Sequence, residues 1–180
     1  MIPVPEEPMT DGRFRMFAFY STCRDLFHPP RDTLAVVGIK RGDTVLDFGC
    51  GRGGFTVAAA ELVGPEGKVY ALDAHPLAVK LVRTEIRHRG LANVEVIQSD
   101  GPTSLADESV DVALLYDVFH DLASPETVLA ELARVMKPDA VLSVTDHHLK
   151  AEDLISALRQ GGHFQFSKRK KPTYEFVKKA

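Results

Sequence analysis

The sequence predicts an α/β fold: a Rossmann-like, doubly wound, mostly parallel seven-stranded sheet with helices on both faces and a C-terminal antiparallel hairpin. Three observations predict it. Strand-like and helix-like hydrophobic patterns alternate along most of the chain. A glycine-rich turn, Gly49 to Gly54, joins the first buried strand directly to a helix. Beyond Gly162 the pattern changes to alternating aromatic and polar residues, which is typical of a hairpin.

The amino-acid composition limits the classes of protein to which this chain can belong. With 180 residues, 44% of them hydrophobic, the chain can bury one sizeable core, so we predict a single domain, residues 1–180. A net charge of -3 gives no general attraction to nucleic acid or to an acidic membrane. Only Cys23 and Cys50 are present, which favours a reducing, cytoplasmic location over a disulfide framework. We expect a soluble protein, because no apolar run approaches the ~20 residues of a membrane helix.

The hydrophobic periods predict the elements in order. Met1 to Thr10, with three prolines and two glutamates, is interpreted as a loose arm rather than a signal peptide. Ser124 should cap a helix that begins at Pro125, and Lys137-Pro138 should end it. The predicted helices are Arg13 to Phe27, Asp32 to Val37, Phe55 to Leu62, Pro76 to His88, Ser124 to Met136 and Glu152 to Arg159. The predicted strands are Thr44 to Phe48, Lys68 to Leu72, Val94 to Gln98, Val110 to Tyr116 and Ala140 to Thr145, followed by hairpin strands at Phe164–Phe166 and Tyr174–Phe176 joined by a basic connection, Lys168 to Pro172.

The glycine turn is the first candidate for a ligand site, because open α/β sheets bind ligands beyond the carboxyl ends of their strands. Its residues fit two patterns at once. Gly49, Gly51 and Gly54 match the dinucleotide pattern G-x-G-x-x-G, whereas Asp47, Gly49, Gly51 and Gly53 match D-x-G-x-G-x-G. The turn alone therefore leaves a nicotinamide cofactor and S-adenosylmethionine as alternatives.

Three acidic residues narrow the choice. Asp73 ends the second strand, where a carboxylate can accept hydrogen bonds from ribose hydroxyls of either cofactor. Asp47 puts a negative charge beside the turn, which disfavours a pyrophosphate and suits a cationic amino and sulfonium group. Asp100 follows the third strand and could accept from an adenine amino group. Together they favour S-adenosylmethionine.

At these motifs the sequence resembles the class I S-adenosylmethionine-dependent methyltransferases, and more narrowly the branch of ubiquinone and menaquinone biosynthesis methyltransferases. The resemblance covers Val37 to Val177. It is carried by four ordered segments: Val45 to Gly51, Val69 to Asp73, Asp111 to Leu115 and Glu131 to Pro138. The sequence departs from the family at Pro138-Asp139-Ala140, where proline and two glycines are usual.

The resemblance implies that the turn faces the methionyl part of the cofactor, that Asp73 binds ribose and that Asp100 lies near adenine. Residues 31–180 would form the cofactor-binding core, and residues 1–30 an N-terminal arm and lid helix. With its neighbours in the same loops, the predicted cofactor-binding set is Asp47, Gly49, Cys50, Gly51, Gly53, Asp73, Ala74, Asp100, Gly101 and Tyr116. Cys50 is interpreted as a small packing residue rather than a nucleophile.

Methyl transfer depends mainly on proximity and orientation, and a base near neutrality helps when the acceptor carries a proton. His120 follows the fourth strand and matches a histidine-bearing segment of the resembling branch, so it is the candidate catalytic residue; the alternative is a histidine that caps the loop. The candidate substrate residues are Tyr20, Asp117, His120, His147 and His148. Asp117, Asp146, His147 and His148 could alternatively hold a divalent metal, although their spacing fits no strict signature. The remaining aromatic residues of the first helix, Phe14, Phe17 and Phe19, are interpreted as core in preference to a lid, and the basic connection as a solvated tip.

These patterns predict an S-adenosylmethionine-dependent methyltransferase that acts on a small molecule by in-line displacement, with a homodimer as one arrangement that would complete the lid. Two alternatives stay open. The chain could be a non-catalytic protein that binds S-adenosylmethionine or a metal, or a methyltransferase for RNA or protein. The sequence Asp117-Val118-Phe119-His120 replaces the Asn-Pro-Pro-Tyr-type motif of nucleic-acid amino-methylating enzymes, so nucleic acid is the less favoured acceptor.

Overall fold

The computed structural model describes residues 9–179, so most of the predicted N-terminal arm, Met1 to Thr10, lies outside the described residues. The elements are α1 (Asp11–Phe27), α2 (Pro30–Ala35), β1 (Thr44–Phe48), α3 (Gly54–Val63), β2 (Lys68–Asp73), α4 (Pro76–Arg89), β3 (Val94–Gln98), β4 (Val110–Tyr116), a 3₁₀ turn (Phe119–Asp121), α5 (Pro125–Val135), β5 (Met136–Thr145), α6 (Ala151–Gln160), β6 (Phe164–Lys170) and β7 (Thr173–Lys178). Within residues 9–179, no helix combines the length and the apolar character needed to cross a membrane.

The sheet has seven strands in the order β3-β2-β1-β4-β5-β7-β6. Strands β1 to β5 are mutually parallel, β7 is antiparallel to β5, and β6 is antiparallel to β7. The predicted mostly parallel sheet with a C-terminal antiparallel hairpin is therefore confirmed. Because β1 has β2 on one side and β4 on the other, the strand order reverses between β1 and β4.

Helices cover both faces of the sheet because neighbouring strand residues point to opposite sides. Leu46 of β1 belongs to the core cluster that α5 and α6 close, together with Leu132 and Leu158. Val45, the residue before it, packs into the opposite cluster with Ala59 of α3. The buried stripe predicted for the helix after β4 is confirmed at Val128, Leu129, Leu132 and Val135; Met136 is buried too, but it belongs to β5 and not to the helix.

The start of β5 corrects the sequence-based assignment. The sequence predicts that Lys137-Pro138 ends a helix and that the strand begins at Ala140, but the strand begins at Met136, which pairs with Val110. The β4–β5 register then shifts, and regular pairing resumes between Val112 and Val141. Pro138 is accommodated in this irregular stretch because a proline that cannot donate to a ladder is tolerated there. The side chain of Ser124, in addition, makes no capping hydrogen bond at the start of α5.

The hairpin corrects part of a second expectation, because the basic connection is largely exposed as expected, but Lys168 to Lys170 belong to a strand and not to the tip. Lys168 and Lys170 lie within β6, and both approach the carboxylate of the buried Glu175 on β7, at Nζ–O distances of 3.4 and 3.2 Å. A buried carboxylate is costly unless it is paired. The two lysines therefore neutralise Glu175, and the strand extends through them.

Candidate functional site

The site lies where the strand order reverses, between the carboxyl ends of β1 and β4. In doubly wound sheets a crevice opens at this point because the connections of the two strands leave toward opposite faces. Here α3 follows β1 and packs on one face, whereas α5 follows β4 and packs on the other. The glycine loop, Gly49 to Gly53, follows β1 at this crevice, and Asp117 follows β4.

The glycine loop needs glycine at two of its positions for steric reasons. Gly49 has φ 77°, and a Cβ added there would lie 2.6 Å from Cγ2 of Val118. Gly53 has φ 87°, and its added Cβ would lie 2.9 Å from Cγ2 of Val82. Real Cβ atoms do not approach other heavy atoms this closely, and left-handed backbone is unfavourable for other residues. At these two positions the loop backbone therefore packs directly against Val118 and Val82, and a larger residue would displace them.

Asp73 holds the middle of this loop from the neighbouring strand. One carboxylate oxygen accepts a hydrogen bond from the Gly51 amide and the other from the His75 amide, both at 2.8 Å. Burial raises the pKa of Asp73, and the two amide bonds offset only part of that rise. Of the other predicted residues on this side, Ala74 and Asp100 are exposed, and Gly101 is buried with its amide bonded to Oγ of Ser99.

Asp47 lies beneath the loop, in a more enclosed place than the sequence indicated. Its side chain is almost fully buried and accepts a hydrogen bond of 2.6 Å from Oγ1 of Thr56, in the first turn of α3. Burial raises the pKa of Asp47 to about 6, the Thr56 hydroxyl counteracts this, and the charge of Asp73 adds to it. The sequence analysis did not identify Thr56. The available signal was a threonine closely following a glycine loop that itself follows an acidic residue near the end of a strand.

Cys50 and Tyr116 are packed residues. Cys50 is buried with Ala71 and Val82, and burial raises the pKa of its thiol, which agrees with the predicted packing role. The Tyr116 hydroxyl lies 2.8 Å from Oγ of Ser143, inside the protein, and burial raises its pKa as well. The Tyr116 hydroxyl therefore points away from the crevice and is bound inside the protein. At the end of β4, only the backbone of this residue can line the crevice.

Helix α1 covers the glycine loop from outside. The buried Phe14 ring stacks on the His75 ring with centroids 4.4 Å apart. A Cβ on Gly51 would lie 3.2 Å from the ring of Phe17. The expectation of core aromatic residues therefore holds for Phe14, but it is wrong for Phe19, which is 72% exposed. Tyr20, a predicted substrate residue on the same helix, is 64% exposed.

Arg24 fastens α1 to the far side of the crevice, and no pattern in the sequence pointed to this residue. Its guanidinium donates to Asp25 at 3.0 Å and to Oδ2 of Asp117 at 3.2 Å. Oδ1 of Asp117 accepts from the backbone amide of His147 and lies 2.6 Å from Nδ1 of the same residue. Asp117, with φ 53°, therefore links the covering helix to the loop after β5.

A second carboxylate, Asp146, contacts the other two candidate histidines, His120 and His148. Its Oδ2 lies 2.9 Å from Nδ1 of His120, and its Oδ1 accepts from the His148 amide at 2.9 Å. The His148 ring packs against the His120 ring with centroids 4.1 Å apart. Burial lowers the pKa of His120, but the hydrogen bond and charge of Asp146, with the charges of Asp121 and Asp117, outweigh burial and raise it overall.

The arrangement does not form the metal set that the sequence left open. Asp117 pairs with His147, whereas Asp146 pairs with His120 and the His148 amide. Among the residues that the structure describes, no three His, Cys, Asp or Glu side chains are grouped to hold a metal ion. The carboxylates instead orient histidines and bind Arg24.

Comparisons with known proteins identify the family of this chain. The family model described as a methyltransferase domain matches residues 39–177. A demethylmenaquinone methyltransferase of Geobacillus stearothermophilus is 34% identical over 112 residues, which cover 62% of this chain and 48% of that protein. The chain thus spans about half the length of the curated relatives it matches.

Two solved structures show the same fold. A SAM-dependent methyltransferase from Aquifex aeolicus superposes with a TM-score of 0.73 at 29% identity, covering 83% of this chain and 87% of that one. A candidate S-adenosylmethionine-dependent methyltransferase from Methanococcus maripaludis reaches a TM-score of 0.79 over 98% of this chain and 97% of the other, although identity is only 13%.

The strand order, the hairpin and the glycine loop with Asp73 beside it define the class of S-adenosylmethionine-dependent methyltransferases with a Rossmann-like sheet. Because the family model covers most of the sequence, the chain belongs to the methyltransferase-domain family.

We expect Gly49→Ala to destabilise the protein more than Gly162→Ala, since Gly162 has a similar φ of 74° but open space around its added Cβ. The control carries only the backbone strain, about 1–2 kcal/mol. Gly49→Ala adds the collision with Val118, about 1–3 kcal/mol more. Denaturant unfolding of both variants measures the difference, and equal losses would show that Val118 yields without cost.

Asp47 should make stability fall as pH rises from about 4 to about 6. The folded state holds the Asp47 proton up to a pKa of about 6, against an ordinary value of 3.8. Stability is therefore greatest below the unfolded-state pKa and declines until the folded-state pKa is passed, by up to about 3 kcal/mol.

Asp47→Asn should remove this slope, and Asp153→Asn, at an exposed position in α6, should retain it. Unfolding free energies from pH 4 to pH 7 test the difference between wild type and each variant. Parallel curves for wild type and Asp47→Asn would contradict the assigned burial of a proton at Asp47.

Proposed function

We propose that this chain transfers a methyl group from S-adenosylmethionine to a small-molecule acceptor. The observation that carries the proposal is the juxtaposition of two different walls across one crevice. One wall is the glycine loop with Asp73, which suits a nucleoside cofactor; the other is the histidine-bearing rim after β4 and β5. The first wall suits cofactor binding and the second suits proton transfer.

The residues of the first wall fit S-adenosylmethionine chemically. Gly49 and Gly51 lie against Val118 and Phe17, so the backbone of the loop, rather than side chains at these two positions, would meet the cofactor. Asp73 and the exposed Asp100 would accept from ribose hydroxyls and from the adenine amino group respectively. Ionised Asp47, beneath the loop, would favour the positive charge of the amino and sulfonium groups. When bound, this cofactor supplies an electrophilic methyl group on a positively charged sulfur.

The histidine-bearing rim would orient the methyl acceptor and supply the group that takes its proton. His120 would take the proton of the acceptor at Nε2 while the nucleophilic atom of the acceptor bonds to the methyl carbon. The carbon–sulfur bond breaks and its electron pair stays on sulfur, so the products are the methylated acceptor, S-adenosylhomocysteine and a protonated His120. Helix α1, with Phe14 and Phe17 over the loop, would exclude water from this step.

The name of the demethylmenaquinone methyltransferase relative suggests a quinone, and for the acceptor we propose the reduced form of such a ring, which carries ionisable hydroxyl groups. A raised pKa at His120 suits such an acceptor, because a stronger base takes a phenolic proton more readily.

The binding test is calorimetric titration with S-adenosylhomocysteine, with NAD titrated in parallel because the glycine pattern fits both cofactors. We expect saturable binding of S-adenosylhomocysteine alone. Asp73→Ala should weaken it by about 1–3 kcal/mol, since it removes an acceptor for polar ligand groups. Asp153→Ala serves as the matched control. Binding of NAD alone, or of neither ligand, would overturn the proposal.

The catalytic test is methyl transfer from labelled S-adenosylmethionine to a panel of phenols and reduced quinones. We expect His120→Gln to lower kcat by roughly 10²-fold or more, the usual contribution of a general base, while S-adenosylhomocysteine affinity stays close to that of wild type. His88→Gln, at an exposed position at the end of α4, should behave as wild type. Full turnover in His120→Gln would remove the base from the proposed reaction.

A further inference from the structure

The side chain of Asp146 is completely buried at the end of β5, yet it is not part of the hydrophobic core. Three nitrogen atoms surround its carboxylate. Oδ2 accepts from the backbone amide of His120 at 3.1 Å and meets Nδ1 of the same residue at 2.9 Å. Oδ1 accepts from the His148 amide at 2.9 Å. A single carboxylate thus contacts both the backbone and the ring of His120.

These contacts fix the tautomer of His120. Burial alone would raise the pKa of Asp146, but the bonds from His120 and the His148 amide outweigh it and lower the pKa overall, so Asp146 is ionised. An ionised carboxylate can only accept hydrogen bonds, and Nδ1 of His120 must therefore carry its proton. In the neutral imidazole the lone pair is left on Nε2, which is the atom that can act as a base.

Packed and charged neighbours surround the His120 ring in this orientation. Phe119, the residue before His120, is buried in the core and anchors the 3₁₀ turn. The His148 ring covers one side of the imidazole. The other charged groups that face it are Asp121, whose Oδ2 lies 3.4 Å from Nε2, and Asp117, which is itself paired with Arg24. Asp121 can accept a hydrogen bond from Nε2 only after that atom has gained a proton.

We propose that Asp146 is the positioning residue of the site: it holds His120 as the Nδ1–H tautomer, so that Nε2 receives the proton of the methyl acceptor. This assignment rests on the methyltransferase function proposed above and adds a residue that acts through another, without touching the acceptor itself. The same logic of a buried carboxylate orienting an imidazole recurs in unrelated enzymes that use histidine as a base.

The first test is the tautomer itself, read from the ¹⁵N chemical shifts of the His120 ring in the full chain. At a pH where His120 is neutral, we expect a protonated Nδ1 and an unprotonated Nε2 in wild type. In Asp146→Asn the side-chain amide that replaces the carboxylate can donate to Nδ1, so this variant should populate the Nε2–H tautomer instead. A wild-type ring with Nε2 protonated overturns the proposal without any variant having to fold.

The second test is kinetic. Asp146→Asn should lower kcat by roughly 10-fold or more while the KM for S-adenosylmethionine changes little, because the cofactor wall is untouched. Asp153→Asn, the exposed control in α6, should keep both constants. An equal loss in the control, or a loss confined to KM, overturns the positioning role.

The two tests separate the failure of this inference from failure of the proposed function. If no acceptor is methylated by wild type, the function fails, whereas the ¹⁵N measurement still decides whether Asp146 sets the tautomer. If wild type is active and the tautomer is Nε2–H, the function stands and the role of Asp146 is excluded.

Discussion

The constraint on which the site depends is the passage of backbone through a space too narrow for a side chain. At Gly49 the chain runs against Val118, and at Gly53 it runs against Val82, both with left-handed φ values. Since the loop lies this close to its neighbours, its amides are presented in fixed positions, and Asp73 can bind the one at Gly51. A bulkier loop would displace that acid and the aromatic residues of α1 that lie over it.

Carboxylates at the strand ends have different roles although they are the same chemical group. Asp47 is enclosed, and although Thr56 donates to it, burial dominates and its pKa rises. Asp146 is also buried, but it meets an imidazole and two backbone amides, and its pKa falls. The donors around each acid, together with burial, therefore decide whether its pKa lies above or below the ordinary value.

Helix α1 connects the two walls of the crevice. Its Phe14 packs on His75 next to the glycine loop, and its Arg24 reaches Asp117 on the rim. Asp117 also holds His147. The helix that covers the glycine loop is therefore tied to the loop that carries the histidines, so that any movement of α1 changes the surroundings of both.

The sequence by itself determined the order of elements and the location of the crevice, because hydrophobic period and glycine placement are local properties of the chain. The bounds of β1, β3 and β4 agree with the sequence-based prediction at every residue. Only the tertiary structure decided the start of β5, where Met136 pairs with Val110. The tertiary structure alone also brings Asp146 to His120, 26 residues away in the sequence, and Arg24 to Asp117, 93 residues away. No local pattern records such contacts, because each depends on where the sheet places two distant segments.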